Sequence, residues 1–242
     1  MHITNDHREP HTTIGTYKLA GGQILFFRGK NLLERLKQVP GLASATIFRS
    51  YDRCSIVVYA QWDSRNAAEL GAGSQRYQSC FASIATITLP ATVCEIPFVD
   101  DARPVTDDMN AMVLDPKKDN HVTLICSFKV QPGRREEFIS LLERDHTFLR
   151  EFPGFVSVAF HKAVASEDVA IELLQFQSAL KLRAVSQTPR GRLILRQSAA
   201  LLNCRRTSIA SAAALGGLHE PAAESLDRAQ ALRLSGFLSD VC

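Results

Sequence analysis

The stretch FISLLERDHTFLREF, residues 138–152, sets an acid and a histidine, Asp145 and His146, among leucines and phenylalanines. At roughly 100° per residue, Phe138, Leu141, Leu142, Leu149 and Phe152 fall on one helical stripe, with Asp145 near its centre and His146 on its flank. An ionised carboxylate in such surroundings is unfavourable unless it is paired, hydrogen-bonded or protonated. Asp145 is therefore either a structural contact, satisfied by an arginine or a backbone N–H, or part of a pocket wall. An acid that orients an imidazole makes a general base. The rings it could orient are His146, otherwise a solvated or core-edge residue, and His161 in FVSVAFHK. His161 shares a strand face with Ser157 and Ala159 and points either to the pocket or to the interior between sheets.

The elements that must position these residues follow from periodicity and turn chemistry. VTLICSFKV (122–130) is β-branched and apolar and ends in Gln-Pro-Gly, so it reads as a strand. A helix begins near Arg134 and stops before Pro153-Gly154. FVSVAFHK (155–162) and VAIELLQF (169–176) form two strands around a polar turn, and a second helix is expected from about Pro189. A last strand is expected around Arg206 to Ala213. Strand, helix, strand, strand, helix, strand is the split βαβ, ferredoxin-like order.

The same order occurs upstream. VPGLASATIFRSY (39–51), CSIVVYAQW (54–62) and SQRYQSCFASI (74–84) echo FPGFVSVAFHK, VAIELLQF and SQTPRGRLILRQSAALL (186–202), at a spacing of about 113 residues that exceeds solenoid repeats. LLER precedes the Pro-Gly pair in both, at Leu32–Arg35 and Leu141–Arg144. The first copy has a shorter first helix, predicted over Asn31–Val39, and its last strand over Thr86–Pro97. Residues 1–98 thus form an N-terminal domain and 121–215 a C-terminal one. The charged, proline-containing stretch 99–120 is the expected linker, and the expected helical tail covers 216–242.

Composition narrows the function. The 242 residues are 45 % hydrophobic and 22 % charged with a net charge of +3, and basic and acidic residues are interspersed. A phosphate backbone calls for a cationic stripe, so nucleic acid is not expected as a partner. No run approaches the ~18 apolar residues of a membrane span, and the polar start lacks a signal-like core, so a cytoplasmic protein off the membrane is expected. The six cysteines are widely spaced without a Cys-x-x-Cys pair, which argues against zinc and a disulfide framework. No G-x-G-x-x-G follows a strand and no P-loop is present.

A strand, a helix, an apolar-Pro-Gly-Phe/Leu stop, and a third strand ending in Gln61-Trp62 or Gln175-Phe176 together resemble the antibiotic biosynthesis monooxygenase superfamily. The resemblance covers roughly residues 12–98 and 120–215. It implies an α+β fold in which two tandem ferredoxin-like halves make, within one chain, the dimeric α/β barrel that such domains usually form as a homodimer. Association of two such chains would be a further step. Tandem arrangements resemble oxygenases of aromatic polyketides, including ring-opening enzymes. The implied chemistry is oxidation of a polycyclic phenol by O2, with no tightly bound cofactor, or with reduced flavin (FADH2 or FMNH2) as a diffusible co-substrate from a flavin reductase. Cofactor-free members carry an asparagine four positions before the tryptophan; this chain keeps Trp62 but has Val58. Haem-degrading members carry a second-helix histidine where this chain has Phe81 and Leu195, so a haem ligand is missing.

The resemblance places the first helix against the pocket. The expected site is then Asp145, His146 and His161 for proton transfer, with Trp62, Phe138, Leu142, Leu149 and Phe176 as apolar surface for an aromatic substrate. Trp62 also reads as a core cap, in which case strand alternation sends Tyr59 and Gln61 into the sheet–sheet interior. A polyketide cyclase or isomerase, or a barrel that only binds a ligand, would use the same scaffold.

Overall fold

The computed structural model of the chain describes residues 2–4, 11–19, 29–50, 55–82, 85–88, 92–101, 111–113, 121–164, 166, 168–191 and 202–213. The first half comprises β1 (His2–Thr4), β2 (His11–Leu19), α1 (Gly29–Leu36), β3 (Leu42–Ser50), β4 (Ser55–Trp62), α2 (Arg65–Gly73), α3 (Gln75–Phe81), β5 (Ala85–Thr88) and β6 (Thr92–Asp101). After β7 (Ala111–Val113), the second half comprises β8 (Val122–Val130), α4 (Arg135–Arg150), β9 (Phe155–Ala163), β10 (Val169–Phe176), α5 (Ala179–Gln187) and β11 (Leu202–Ala213).

Each half has the ferredoxin-like strand order. In the first, β4 lies between β3 and β2, and the far edge of β2 is shared by β6 along Thr12–Ile14 and β5 along Tyr17–Leu19. In the second, the order is β11, β8, β10, β9. The last strand of each half then pairs with the second strand of the other, β11 with β3 and β6 with β9. All of these pairings are antiparallel, and they run through both halves back to their start. This is the α+β architecture of two tandem ferredoxin-like halves in a fused α/β barrel.

Helices cover one face of each half-sheet and bury an apolar core there. Leu32, Leu36, Ala68, Ala72, Tyr77 and Phe81 pack on Tyr17, Ile47, Val58 and Trp62 in the first half. In the second, Phe138, Leu142, Leu149, Leu182 and Val185 pack on Leu124, Phe128, Phe160, Leu174 and Phe176. Strand alternation sends the intervening side chains to the opposite face, where the halves meet.

The halves share local devices. Pro40-Gly41 and Pro153-Gly154 end the first helical segments, and both glycines take left-handed backbone, φ 75° and 98°. A side chain there would also collide with the second helical segment, at 2.8 Å from the Ala67 Cβ and 2.6 Å from the Lys181 Cγ. The Gly41 carbonyl accepts from Asp63 N–H at 2.9 Å, and the Gly154 carbonyl from Gln177 N–H at 2.8 Å. Ser64 and Ser178 then cap α2 and α5 by accepting from the N–H of the third residue on.

The structure moves one expected element. The second helix of the later half, read from Pro189, is α5 over Ala179–Gln187, because the Ser178 cap starts a helix ahead of the proline. Residues 189–191 are helical again. The first helix of the earlier half is short as expected, eight residues against sixteen in α4. The 99–120 stretch contains the end of β6 and all of β7, which pairs with β1. The expected tail at 216–242 lies outside the described residues.

Candidate active site

The helix α4 is placed by its ends. Glu136 and Glu137 in its first turn and Arg150 in its last complement the helix dipole. Its buried residues, Phe138, Ile139, Leu142, Asp145, His146 and Leu149, recur at helical spacing and face the sheet, so His146 belongs to the buried stripe rather than its flank. Beneath it, β10 turns Ala170, Leu174 and Phe176 toward the helices. Glu172 lies in the same alternation.

Glu172 and His146 meet in that layer. His146 Nε2 is 2.6 Å from Glu172 Oε1, and the two side chains are 2 % and 5 % exposed. A carboxylate only accepts, so Nε2 carries the ring proton that it donates, and the lone pair is left on Nδ1. Glu172 thus sets the tautomer and orientation of the ring, the arrangement a general base requires.

Asp145, 5 % exposed, adjoins this pair. Burial pushes its carboxyl above the usual carboxylate range and the charge on Glu172 adds to this, while Arg144, His146 and Arg190 act in the opposite sense. Its Oδ2 has no hydrogen-bond partner among the described residues. Arg190 stacks over Phe148 at 4.4 Å from the ring centroid, one helical turn beyond Asp145.

The structure brings together Asp145, His146, Phe138, Leu142, Leu149 and Phe176 on the helix side of the second half. His161 lies elsewhere: it faces the interior between the halves and bonds Tyr59. Trp62 is in the first half, capping its core, where its Nε1–H donates to Thr13 Oγ1 at 2.9 Å and its ring covers Gly71. As alternation requires, Tyr59 is turned to the interior, its hydroxyl 3.4 Å from Thr12 Oγ1. Phe81 stacks on Tyr17 with centroids 3.9 Å apart, and Leu195 lies outside the described residues.

Glu172 is the residue that the sequence reading missed. It stands four positions before Phe176, as Val58 stands four before Trp62, so it occupies in the second half the register discussed for the asparagine. The signal was available: in VAIELLQF both faces are apolar, so either orientation buries the acid. Among the described residues no group of three His, Cys, Asp or Glu side chains could hold a metal ion. No helix among them is long and apolar enough to cross a membrane.

Neither a family model nor a curated relative matches the sequence. Solved structures do match. An anthrone oxidase-like protein superposes with a TM-score of 0.72 at 17 % identity, over 90 % of this chain and 98 % of that one. A protein assigned as a monooxygenase from Fusobacterium nucleatum gives 0.61 at 8 % identity, over 86 % and 94 %. The structure of a major regulator of staphylococcal pathogenesis gives 0.51 at 10 % identity, over 82 % and 97 %. At these identities the likeness is one of fold, and the fold is the one expected from the resemblance to the antibiotic biosynthesis monooxygenase superfamily. Enzymatic and regulatory roles both occur on it, so function must be argued from the site.

Proposed function

We infer that this protein is an oxygenase acting on an aromatic polyketide, with its proton-transfer site in the C-terminal half. The observation that carries this reading is the buried His146–Glu172 pair set in an apolar layer beside Asp145. A carboxylate and an imidazole buried in such a layer are a poor source of stability compared with apolar packing, so the presence of the pair favours chemistry.

In the reaction, a flat polycyclic phenol enters the helix-side layer of Phe138, Leu142, Leu149 and Phe176, whose side chains are packed together in the unliganded protein and separate to admit it. Its hydroxyl gives its proton to His146 Nδ1, while Glu172 holds the opposite N–H and shares the positive charge of the ring. The resulting phenolate is electron-rich enough to pass an electron to O2. The protein supplies binding, orientation and one base. Reduced flavin, delivered by a flavin reductase, is the alternative co-substrate. A cyclase or isomerase is the second reading, favoured by Val58, because a base without the asparagine moves protons and has no group dedicated to oxygen.

Oxygen uptake with a planar phenol, with and without reduced flavin, is the test. Uptake is expected. His146→Ala and Glu172→Ala should each lower kcat/KM by about 100-fold or more, the size of a general-base contribution. Asp145→Ala should lower turnover by more than about tenfold. Conversion without oxygen selects the cyclase, and saturable binding without conversion selects a binding barrel.

A further inference from the structure

A second buried histidine stands outside this mechanism. His161 Nδ1 is 3.3 Å from the Ile171 carbonyl oxygen, and its Nε2 is 3.0 Å from the Tyr59 hydroxyl. A carbonyl can only accept, so Nδ1 carries the ring proton, Nε2 is the acceptor, and Tyr59 O–H donates to it. Thr12 Oγ1, 3.4 Å from the same hydroxyl, extends the contact. Thr12, Tyr59 and His161 are fully buried, and Tyr59 and His161 come from different halves. Burial also holds the imidazole in its neutral form.

This phenol differs from its neighbours. Tyr17 and Tyr77 are equally buried, yet their hydroxyls have no hydrogen-bond partner of ordinary geometry among the described residues, and burial raises the pKa of both. Tyr59 has a neutral base in line. The pair also has a defined relation to the candidate site. His161 is the cross-strand partner of Ile171, and the next residue of β10, Glu172, projects to the opposite face and bonds His146. One layer of backbone separates the two.

The geometry points to Tyr59 as a redox-active tyrosine that loses an electron as its proton moves to His161. Removing an electron from a phenol makes its O–H strongly acidic, and an apolar interior disfavours a radical cation held on one ring. Transfer along a bond already formed leaves a neutral phenoxyl radical and places the charge on the imidazolium. The natural oxidant rests on the oxygenase reading: once the substrate phenolate has reduced one O2 to superoxide, which leaves, the substrate radical adds a second O2, and the resulting organic peroxyl radical takes one electron and becomes the peroxide anion. Tyr59 supplies that electron, and its proton goes to His161 Nε2. One electron from a substrate phenolate, with the proton returning from His161, restores the tyrosine.

The experiment needs no substrate. Flash photolysis of the full chain with ruthenium tris-bipyridine and persulfate generates a one-electron oxidant, and electron paramagnetic resonance identifies the radical. A neutral tyrosyl signal is expected, and site-specific 3-fluorotyrosine at position 59, which keeps the bond to His161, should alter its hyperfine pattern. His161→Gln should reduce the yield by about tenfold or more, with circular dichroism confirming the fold. An unchanged hyperfine pattern, or a His161→Gln yield within about twofold of the parent, overturns the proposal. A normal Tyr59 radical in a protein that takes up no oxygen supports the pair as redox-active and overturns the oxygenase reading alone.

Discussion

The two helix-side cores are built on the same strands and turns, and they are filled in opposite ways. Where the first half has Val58, the second has Glu172, and the eight-residue α1 of one corresponds to the sixteen-residue α4 that carries Asp145 and His146. The first half compensates with rings: Trp62, Tyr77, and the stacked Tyr17 and Phe81 close its core. A duplicated scaffold thus separates packing from chemistry, one half using its volume for apolar contact and the other giving part of it to three ionisable groups.

The largest test of that contrast falls on the aromatic side. Trp62→Ala removes a fully buried ring and the donor to Thr13, and should cost about 3–5 kcal/mol in denaturant unfolding. A loss as small as that of a surface substitution would mean that the first core is not what holds this half.

The seam between the halves should respond to acid. His161 is pushed down from 6.5 to about 4 by burial. Below the unfolded value the unfolded chain binds the proton first, so stability falls as pH drops from about 6.5 to about 4, by about 3 kcal/mol in all. Unfolding midpoints measured across this window should fall by more toward acid in the parent than in His161→Gln, the difference being the contribution of His161.

Converting the second core into the first sharpens the comparison further. Glu172→Val alone removes the carboxylate that accepts from the buried His146 Nε2 and should destabilise. Adding His146→Leu should leave stability unchanged or raise it by about 1–4 kcal/mol while abolishing turnover. If the double variant is less stable than either single one, the pair is structural.

The smallest effect concerns Asp145. Its raised native pKa means that stability is fully present below the ordinary carboxylate range and declines as pH rises through the raised value. Asp145→Asn should therefore be modestly more stable than the parent at neutral pH, and the two thermal midpoints should converge in acid.

Much of this arrangement was legible in the chain, and the exceptions have physical reasons. Strand alternation placed Trp62 and Tyr59 on opposite faces, and both are found there. Helical spacing located Asp145, since a polar residue on a leucine stripe has nowhere else to go, whereas it put His146 on the flank and the structure buries that ring as well. Glu172 escaped because a strand buried on both faces has no polar side against which an acid looks misplaced. The helix α5 was read too late because Pro189 is a visible starter, whereas Ser178 acts through one hydroxyl and a turn shared with Ser64. The direction of His161 was undecidable, because both faces of β9 are buried and only the partner on the other half distinguishes them.

The stitching of β11 to β3 has a cost during synthesis. The edge of β3 along Ile47–Ser50 is satisfied by residues up to Ala213, made about 160 residues later. At cellular elongation rates that edge stays open for roughly 10–30 s, and an unpaired strand edge is a template for a neighbouring chain. Crowding of nascent chains on one message therefore favours exchange of β11 between copies, giving an intertwined dimer whose abundance should rise with expression rate.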